Sequence, residues 1–215
     1  KQAAELARTM VQLGIDAGVK TRALVTAMDV PLGLTAGNAL EVRESIEVLA
    51  GGGPADVVEL TILLAREMID AAGIVGKDPA VALQDGSAMD HWRRMIAAQG
   101  GDPDAKLPVA REQHVITAQN SGTMTTMDAM KVGVSAWRLG AGRSKQGEKV
   151  QAGAGIEMHA KPGDYVQAGS PLLTLHTDEA ARFTRAVEAL EGGYSIGSKD
   201  APINRLPLVI ERIEG

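Results

Sequence analysis

The sequence predicts an α/β fold for the first half of the chain and an α+β fold for the second half. In the first half, segments with apolar residues at helical spacing are linked tightly to a short apolar strand. In the second half, short apolar stretches are separated by glycine and proline, which is typical of small strands joined by turns. Residues 100–104, Gly-Gly-Asp-Pro-Asp, carry the strongest break signal of the chain. We therefore predict two domains, over residues 1–104 and 105–215.

The first predicted elements are a helix and a strand. Leu6, Met10 and Leu13 recur at helical spacing and predict a helix over residues 2–13. The strand is predicted over residues 21–28, where Thr-Arg-Ala-Leu-Val-Thr-Ala-Met forms a short and mostly apolar run. Because the chain begins inside an amphipathic pattern, without methionine or a signal peptide, we expect further sequence to precede it.

The next helix is predicted to begin at Asn38, which is an N-cap candidate. Glu41, three residues later, can complete a capping box. Three consecutive glycines end this helix, and Pro54 suits the first position of the next one. That helix is apolar enough, up to about residue 69, that we expect it to be largely buried. Two shorter helices are predicted over residues 78–83 and 88–99.

The second half is predicted to contain short strands and two helices. The predicted strands cover residues 113–118, 156–159, 164–167, 172–176 and 206–213. The predicted helices cover residues 126–139 and 179–190. Gly140-Ala141-Gly142-Arg143 follows the first of these helices. The segment is interpreted as the turn that ends this helix, with a backbone anion nest as the alternative.

The composition excludes several classes of function. The 215 residues include 22 basic and 27 acidic ones, so the net charge of −5 predicts no nucleic-acid partner. There is no cysteine, which excludes disulfides, thiolate catalysis and cysteine-based zinc sites. No apolar run reaches the roughly 18 residues of a membrane span, so no membrane partner is predicted. A reducing cytoplasm is the expected location.

Three segments, in order, carry a resemblance to a known family. They are residues 28–42, Met-Asp-Val-Pro-Leu-Gly-Leu-Thr-Ala-Gly-Asn-Ala-Leu-Glu-Val, then the Gly-Ala-Gly-Arg segment, then residues 159–172. The chain resembles the C-terminal portion of the thymidine and pyrimidine-nucleoside phosphorylases. The resemblance implies that residues 1–104 are the later part of a three-layer α/β domain with a mixed sheet. Residues 105–215 would form the C-terminal α+β domain with a β-hammerhead element, similar to biotinyl and lipoyl domains.

The same resemblance implies a function for the full-length enzyme. That function is the reversible phosphorolysis of thymidine, deoxyuridine or uridine, with phosphate as co-substrate and no organic cofactor. Members of the family are homodimers, so a homodimer is expected. The catalytic residues and the groups that hold phosphate and nucleoside are expected upstream of Lys1, and none is predicted in this chain. The 215-residue polypeptide alone is therefore expected to be inactive.

A cation site is predicted at the turn that precedes the Asn38 helix. A tight turn exposes backbone carbonyl oxygens, and Glu44 follows on the second turn of the helix. Hard oxygen donors of this kind suit a hard cation, and backbone carbonyls suit K⁺ in particular. The alternative is a capped helix with a solvated Glu44. The resemblance implies a K⁺ site with carbonyl ligands from Leu32 and Thr35 and a carboxylate ligand from Glu44.

The alternative function is a non-catalytic carrier or interaction module. Residues 161–172 follow a Lys-x-Gly-Asp-x-Val pattern that resembles half of a biotinyl or lipoyl domain, and Lys131 lies in the tetrapeptide Ala-Met-Lys-Val. The spacing argues against this function. Lys131 falls on a predicted helix rather than a hairpin tip, and it precedes Gly163 by 32 positions.

Overall fold

The computed structural model describes residues 1–143 and 145–215. The helices are α1 (Gln2–Asp16), α2 (Asn38–Leu49), α3 (Ala55–Ala71), α4 (Pro79–Gln84), α5 (Ser87–Ala98), α6 (Ala129–Ala136) and α7 (Phe183–Ala189). The strands are β1 (Arg22–Thr26), β2 (Thr35–Ala36), β3 (Glu112–Thr117), β4 (Gly122–Met127), β5 (Gly155–Met158), β6 (Tyr165–Val166), β7 (Pro171–Thr177), β8 (Tyr194–Gly197) and β9 (Val209–Glu214). A π-helical turn (Trp137–Ala141) extends α6, and a 3₁₀ turn (Ala180–Arg182) precedes α7.

The described strands form three antiparallel sheets. One sheet has the order β2-β5-β7-β3, a second has the order β6-β4-β8, and the third is the pair β1-β9. Two of these sheets join the first half of the chain to the second, because β2 pairs with β5 and β1 pairs with β9. The predicted mixture of helices and strands is confirmed.

The hydrophobic core lies in the second half of the chain. Its largest fully buried side chains include Met124, Leu139 and Leu175. Strand β7 runs through this core, and all of its residues after Pro171 are buried because β5 and β3 flank it and helices cover the sheet. Helix α6 contributes Val132 and Ala136 to the same cluster. The core therefore holds β5 in place, and β5 in turn supports β2.

The expectation that the third helix is largely buried is wrong. Helix α3 has no buried residue, and its side chains Leu64 and Met68 are exposed. A helix that is apolar on several faces needs partners on several sides. Within residues 1–143 and 145–215, no element covers this side of α3. Leu6, Met10 and Leu13 on α1 are exposed in the same way.

The N-cap of α2 is Gly37 rather than the predicted Asn38. Asn38 is the first helical residue, and its side-chain amide donates to the carbonyl of Ala141, 2.9 Å away. Glu41 does return to the helix start, because its carboxylate accepts the backbone N–H of Gly37 at 2.8 Å. Pro54 is likewise the N-cap of α3, one position before its predicted place.

The second half contains more strands than predicted. Residues 126–139 were expected to be one helix, but β4 occupies residues 122–127, and helix α6 begins only at Ala129. The short strands β2 and β8 were also missed, because their pairing partners are distant in sequence. The predicted helix 179–190 is divided between the 3₁₀ turn and α7. In the part of the chain that the structure describes, no helix is both long and apolar enough to span a membrane.

Candidate cation site at the glycine turn

The turn between β1 and α2 is built around Gly33 and the buried carboxylate of Glu44. Glu44 is 9% exposed, and its Oε1 accepts hydrogen bonds from the backbone N–H of Leu34 at 2.8 Å and the hydroxyl of Thr35 at 3.1 Å. Gly33 has a φ of +69°, and a Cβ at this position would lie 1.9 Å from Glu44 Oε2. Only glycine therefore allows the turn to approach the carboxylate this closely.

Lys161 contacts the same turn from the second half of the chain. Its ammonium group donates to the carbonyls of Pro31 at 2.8 Å and Gly33 at 2.9 Å, and it forms an ion pair with Asp56 at 2.5 Å. The Lys161 side chain is only 17% exposed. Asp56, in the first turn of α3, also accepts the backbone N–H of Gly33 at 3.2 Å. The turn thus binds one cation that is part of the protein itself.

The pKa values of the two carboxylates at this turn are shifted in opposite directions. Burial raises the pKa of Glu44, and the nearby charges of Asp56 and Glu41 add to this shift, against the opposing effect of its hydrogen bonds. Burial would also raise the pKa of Asp56, but the hydrogen bond and charge of Lys161 outweigh it and hold that pKa below the usual value. Asp56 is therefore the counter-ion of Lys161, whereas ionisation of Glu44 costs free energy because its carboxyl group is buried.

Glu44→Gln should change how stability depends on pH in a K⁺-free buffer. Because burial raises the folded-state pKa of Glu44 above its ordinary value of about 4.5, the contribution of this group to the free energy of unfolding is full below that value and falls as pH rises through the folded-state pKa. Glutamine keeps the acceptor for Leu34 and Thr35 without an ionisable group. We expect E44Q to gain stability relative to wild type between pH 4 and pH 7, as measured by urea unfolding. A constant difference across this range would contradict the assigned pKa direction.

The predicted ligand residues lie on both sides of this turn. Thr35 is in β2 and contacts Glu44 directly, and both line a cleft of about 310 Å³. Leu32 is 41% exposed and lines a neighbouring cleft of about 440 Å³ together with Lys161 and Asp56. The alternative of a solvated Glu44 is wrong, because this carboxylate is buried and hydrogen-bonded.

Sequence reasoning missed Lys161 and Asp56 at this site. Each looks like an ordinary solvated residue, since Asp56 is a first-turn acid of a helix and Lys161 belongs to a turn pattern. Lys161 is also 130 positions from Pro31, so no local spacing could have linked them. The only available signal was that both belong to segments next to glycine or proline turns.

The other two motifs make structural contacts. The Gly140–Arg143 segment is the turn that ends a helix, as predicted, with Gly140 at a φ of +110°. The carbonyl of Arg143 accepts the indole N–H of Trp137 at 3.0 Å. Lys131 lies on helix α6, as predicted, and its ammonium group donates to the carbonyl of Glu191. It is therefore not at the hairpin tip that a carrier domain requires.

The chain is similar in sequence to several curated proteins. Residues 123–197 match the family model of the pyrimidine nucleoside phosphorylase C-terminal domain. Thymidine phosphorylase of Mycobacterium tuberculosis (strain H37Rv) is 57% identical over 212 residues, which cover 99% of this chain and 49% of that protein. Human thymidine phosphorylase is 37% identical over 201 residues, covering 84% and 42%. Pyrimidine-nucleoside phosphorylase of Bacillus subtilis is 36% identical over 189 residues, covering 83% and 44%.

These matches are all to thymidine or pyrimidine-nucleoside phosphorylases. This chain is related to the thymidine and pyrimidine-nucleoside phosphorylases, and the resemblance predicted from its three segments is confirmed. The chain spans about half the length of the curated relatives it matches.

Proposed function

We propose that this chain is part of a pentosyltransferase of pyrimidine salvage that catalyses the reversible phosphorolysis of thymidine or a related pyrimidine nucleoside. The observation that carries the proposal is the 57% identity over 212 residues to thymidine phosphorylase of Mycobacterium tuberculosis. In the reaction, a phosphate oxygen forms a bond to C1′ of the sugar while the bond from C1′ to the pyrimidine nitrogen breaks. The base leaves with the electron pair and takes up a proton. The products are free base and 2-deoxyribose 1-phosphate.

Phosphate-dependent release of thymine tests this function. We expect the protein at its full natural length to convert thymidine and phosphate to thymine and 2-deoxyribose 1-phosphate. Chromatography of the free base measures this conversion. Omitting phosphate is the control and should abolish the release. The 215-residue polypeptide by itself should release no thymine above background, because the Gly/Ser/Lys/Thr phosphate loop of the family does not occur in its sequence. Phosphate-independent release, or no release by the full-length protein, would exclude the proposal.

The turn at Gly33 is proposed to bind K⁺. The residues fit a hard monovalent cation, because Glu44 presents a buried carboxylate beside a turn whose Pro31 and Gly33 carbonyls already hold the ammonium group of Lys161. The carbonyls of Leu32 and Thr35 and the carboxylate of Glu44 would hold the ion. When bound, K⁺ would neutralise Glu44 and hold the turn against α2. A rise in melting temperature when KCl replaces NaCl at constant ionic strength would support this proposal, and no difference between the two salts would exclude it.

The finer architecture and assembly are also proposals. Exposed apolar side chains on α1 and α3 support the proposal that residues 1–104 are the later part of a three-layer α/β domain with a mixed sheet. The small antiparallel sheets of residues 105–215 are proposed to include a β-hammerhead similar to biotinyl and lipoyl domains. By the same resemblance, we propose a cytoplasmic homodimer.

A further inference from the structure

We propose that Lys161 is a positioning residue that sets the conformation of the Gly33 turn and thereby its affinity for a monovalent cation. The inference rests on the proposed function, because the turn is the one for which K⁺ binding is proposed. Lys161 belongs to the second half of the chain, whereas the carbonyls that it contacts belong to the first half. A single ammonium group therefore connects the two halves at the cation turn.

The contacts of Lys161 form a complete coordination of its ammonium group. The three N–H donors meet three acceptors, namely the carbonyls of Pro31 and Gly33 and the carboxylate of Asp56. Hydrogen bonds that involve a charged partner are stronger than neutral ones, and the low exposure of this group reduces competition from water. One ammonium group thereby holds the backbone carbonyls on both sides of Leu32.

Gly33 transmits the effect of Lys161 to Glu44. Its carbonyl accepts from Lys161, its N–H donates to Asp56, and its Cα faces Glu44 so closely that a Cβ there would overlap Oε2. The next residue, Leu34, donates its N–H to Glu44 Oε1. A shift of Gly33 therefore changes the distance between the turn and the carboxylate that is proposed to bind K⁺.

Removing the ammonium group should loosen the turn in two ways. The carbonyls of Pro31 and Gly33 lose a donor, and Asp56 becomes a half-buried carboxylate without its counter-ion. The backbone N–H of Gly33 would remain as a donor to Asp56, but the carbonyl of Gly33 would no longer be fixed, so the position of the turn relative to Glu44 would vary more. Both changes disfavour the conformation in which Leu32, Thr35 and Glu44 surround one ion.

The test is a K⁺ titration of wild type and Lys161→Met in the full-length protein. Thermal unfolding is followed as KCl replaces NaCl at constant ionic strength, because an ion that binds only the folded state stabilises it by RT ln(1 + [K⁺]/Kd). A fit of this rise gives the K⁺ midpoint, which is the K⁺ concentration that half-saturates the folded protein. We expect the K⁺ midpoint of K161M to be about tenfold higher than that of wild type, or more, given the usual strength of charge-assisted hydrogen bonds. Amide hydrogen exchange over residues 28–37 should accelerate in the same variant.

Two control variants separate positioning from general stability. Lys131→Met removes a lysine whose ammonium group also donates to a backbone carbonyl, but away from the turn. Leu175→Ala destabilises the core without contacting the turn. Both should keep the wild-type K⁺ midpoint, whatever their melting temperature. If K161M does not fold, Asp56→Asn keeps the carbonyl contacts of Lys161 and should raise the midpoint by a smaller factor.

The outcomes distinguish this inference from the proposed function. Equal K⁺ midpoints and equal exchange rates in wild type and K161M would overturn the role of Lys161, as would a wild-type protein that does not distinguish K⁺ from Na⁺. A shift in midpoint that L175A shares would also overturn it. If the wild-type protein releases no thymine but the K⁺ midpoint moves as expected, the proposed function fails and the role of Lys161 in the turn stands.

Discussion

Replacing Gly37 by alanine should destabilise the protein by about 3 kcal/mol or more, measured as the free energy of unfolding in urea. Gly37 has a φ of +144°, which L-residues rarely adopt. A Cβ at this position would lie 2.4 Å from the carbonyl oxygen of Ala154 and 2.7 Å from the Cα of Gly155. These atoms belong to backbone rather than to a flexible side chain, so the two segments would have to separate.

The contact at Gly37 is reciprocal and holds the cation turn in place. A Cβ on Gly155 would lie 2.4 Å from the carbonyl oxygen of Ala36 and 2.9 Å from the Cα of Gly37. Two glycines therefore allow the start of α2 to cross the start of β5, next to the pairing of β2 with β5. Because Thr35 and Ala36 form β2, separating the two segments should also displace Thr35 from Glu44.

Gly133→Ala is the matched control for Gly37→Ala. Gly133 lies in helix α6, its added Cβ would meet no atom within 4 Å, and its φ is not positive. Alanine has the higher helix propensity, so we expect this variant to gain about 0.5–1 kcal/mol. Both variants add the same methyl group, but Gly37→Ala should lower the free energy of unfolding and Gly133→Ala should raise it. A Gly37→Ala protein as stable as wild type would show that the two backbones do not meet as described.

The parts of the fold that could be predicted are those whose signals are local. The strands β5 and β7 and the helix that follows the Gly33 turn were predicted close to their observed positions, since glycine, proline and apolar spacing mark their ends. Strand β2 has only two residues and exists because it pairs with β5, more than a hundred positions later. Such a strand has no periodicity of its own, so local reasoning could not find it.

The candidate site was predicted in part for the same reason. Glu44 lies only ten positions after Leu34, so its place near the turn could be predicted from local sequence. The structure does bring Glu44 into contact with Leu34 and Thr35. The contacts of Lys161 depend on how the second half of the chain folds back on the first. A lysine in a polar turn segment gives no sign that its ammonium group is nearly enclosed. The charged network of the turn therefore became visible only with the tertiary structure.

Replacing Leu175 by alanine should cost about 3–4 kcal/mol of the free energy of unfolding. Leu175 is fully buried in β7, opposite Ile156 on β5 and His114 on β3. Truncation removes apolar surface from the core and leaves a cavity, because strands on both sides prevent β7 from moving inward. Urea unfolding measures the cost, and the slope of the transition should stay the same because the folded and unfolded states keep their compactness.

Two further substitutions test whether the cost of Leu175→Ala comes from the buried cavity. Leu175→Met keeps the volume of the side chain and should cost less than about 1.5 kcal/mol. Val115→Ala removes methyl groups from the neighbouring edge strand β3, where Val115 is 49% exposed, and should cost less than about 1 kcal/mol. If Leu175→Met were as costly as Leu175→Ala, shape at this position rather than buried volume would determine stability. Because β7 supports β5, which contacts Gly37, we also expect Leu175→Ala to unfold both halves of the chain in one transition.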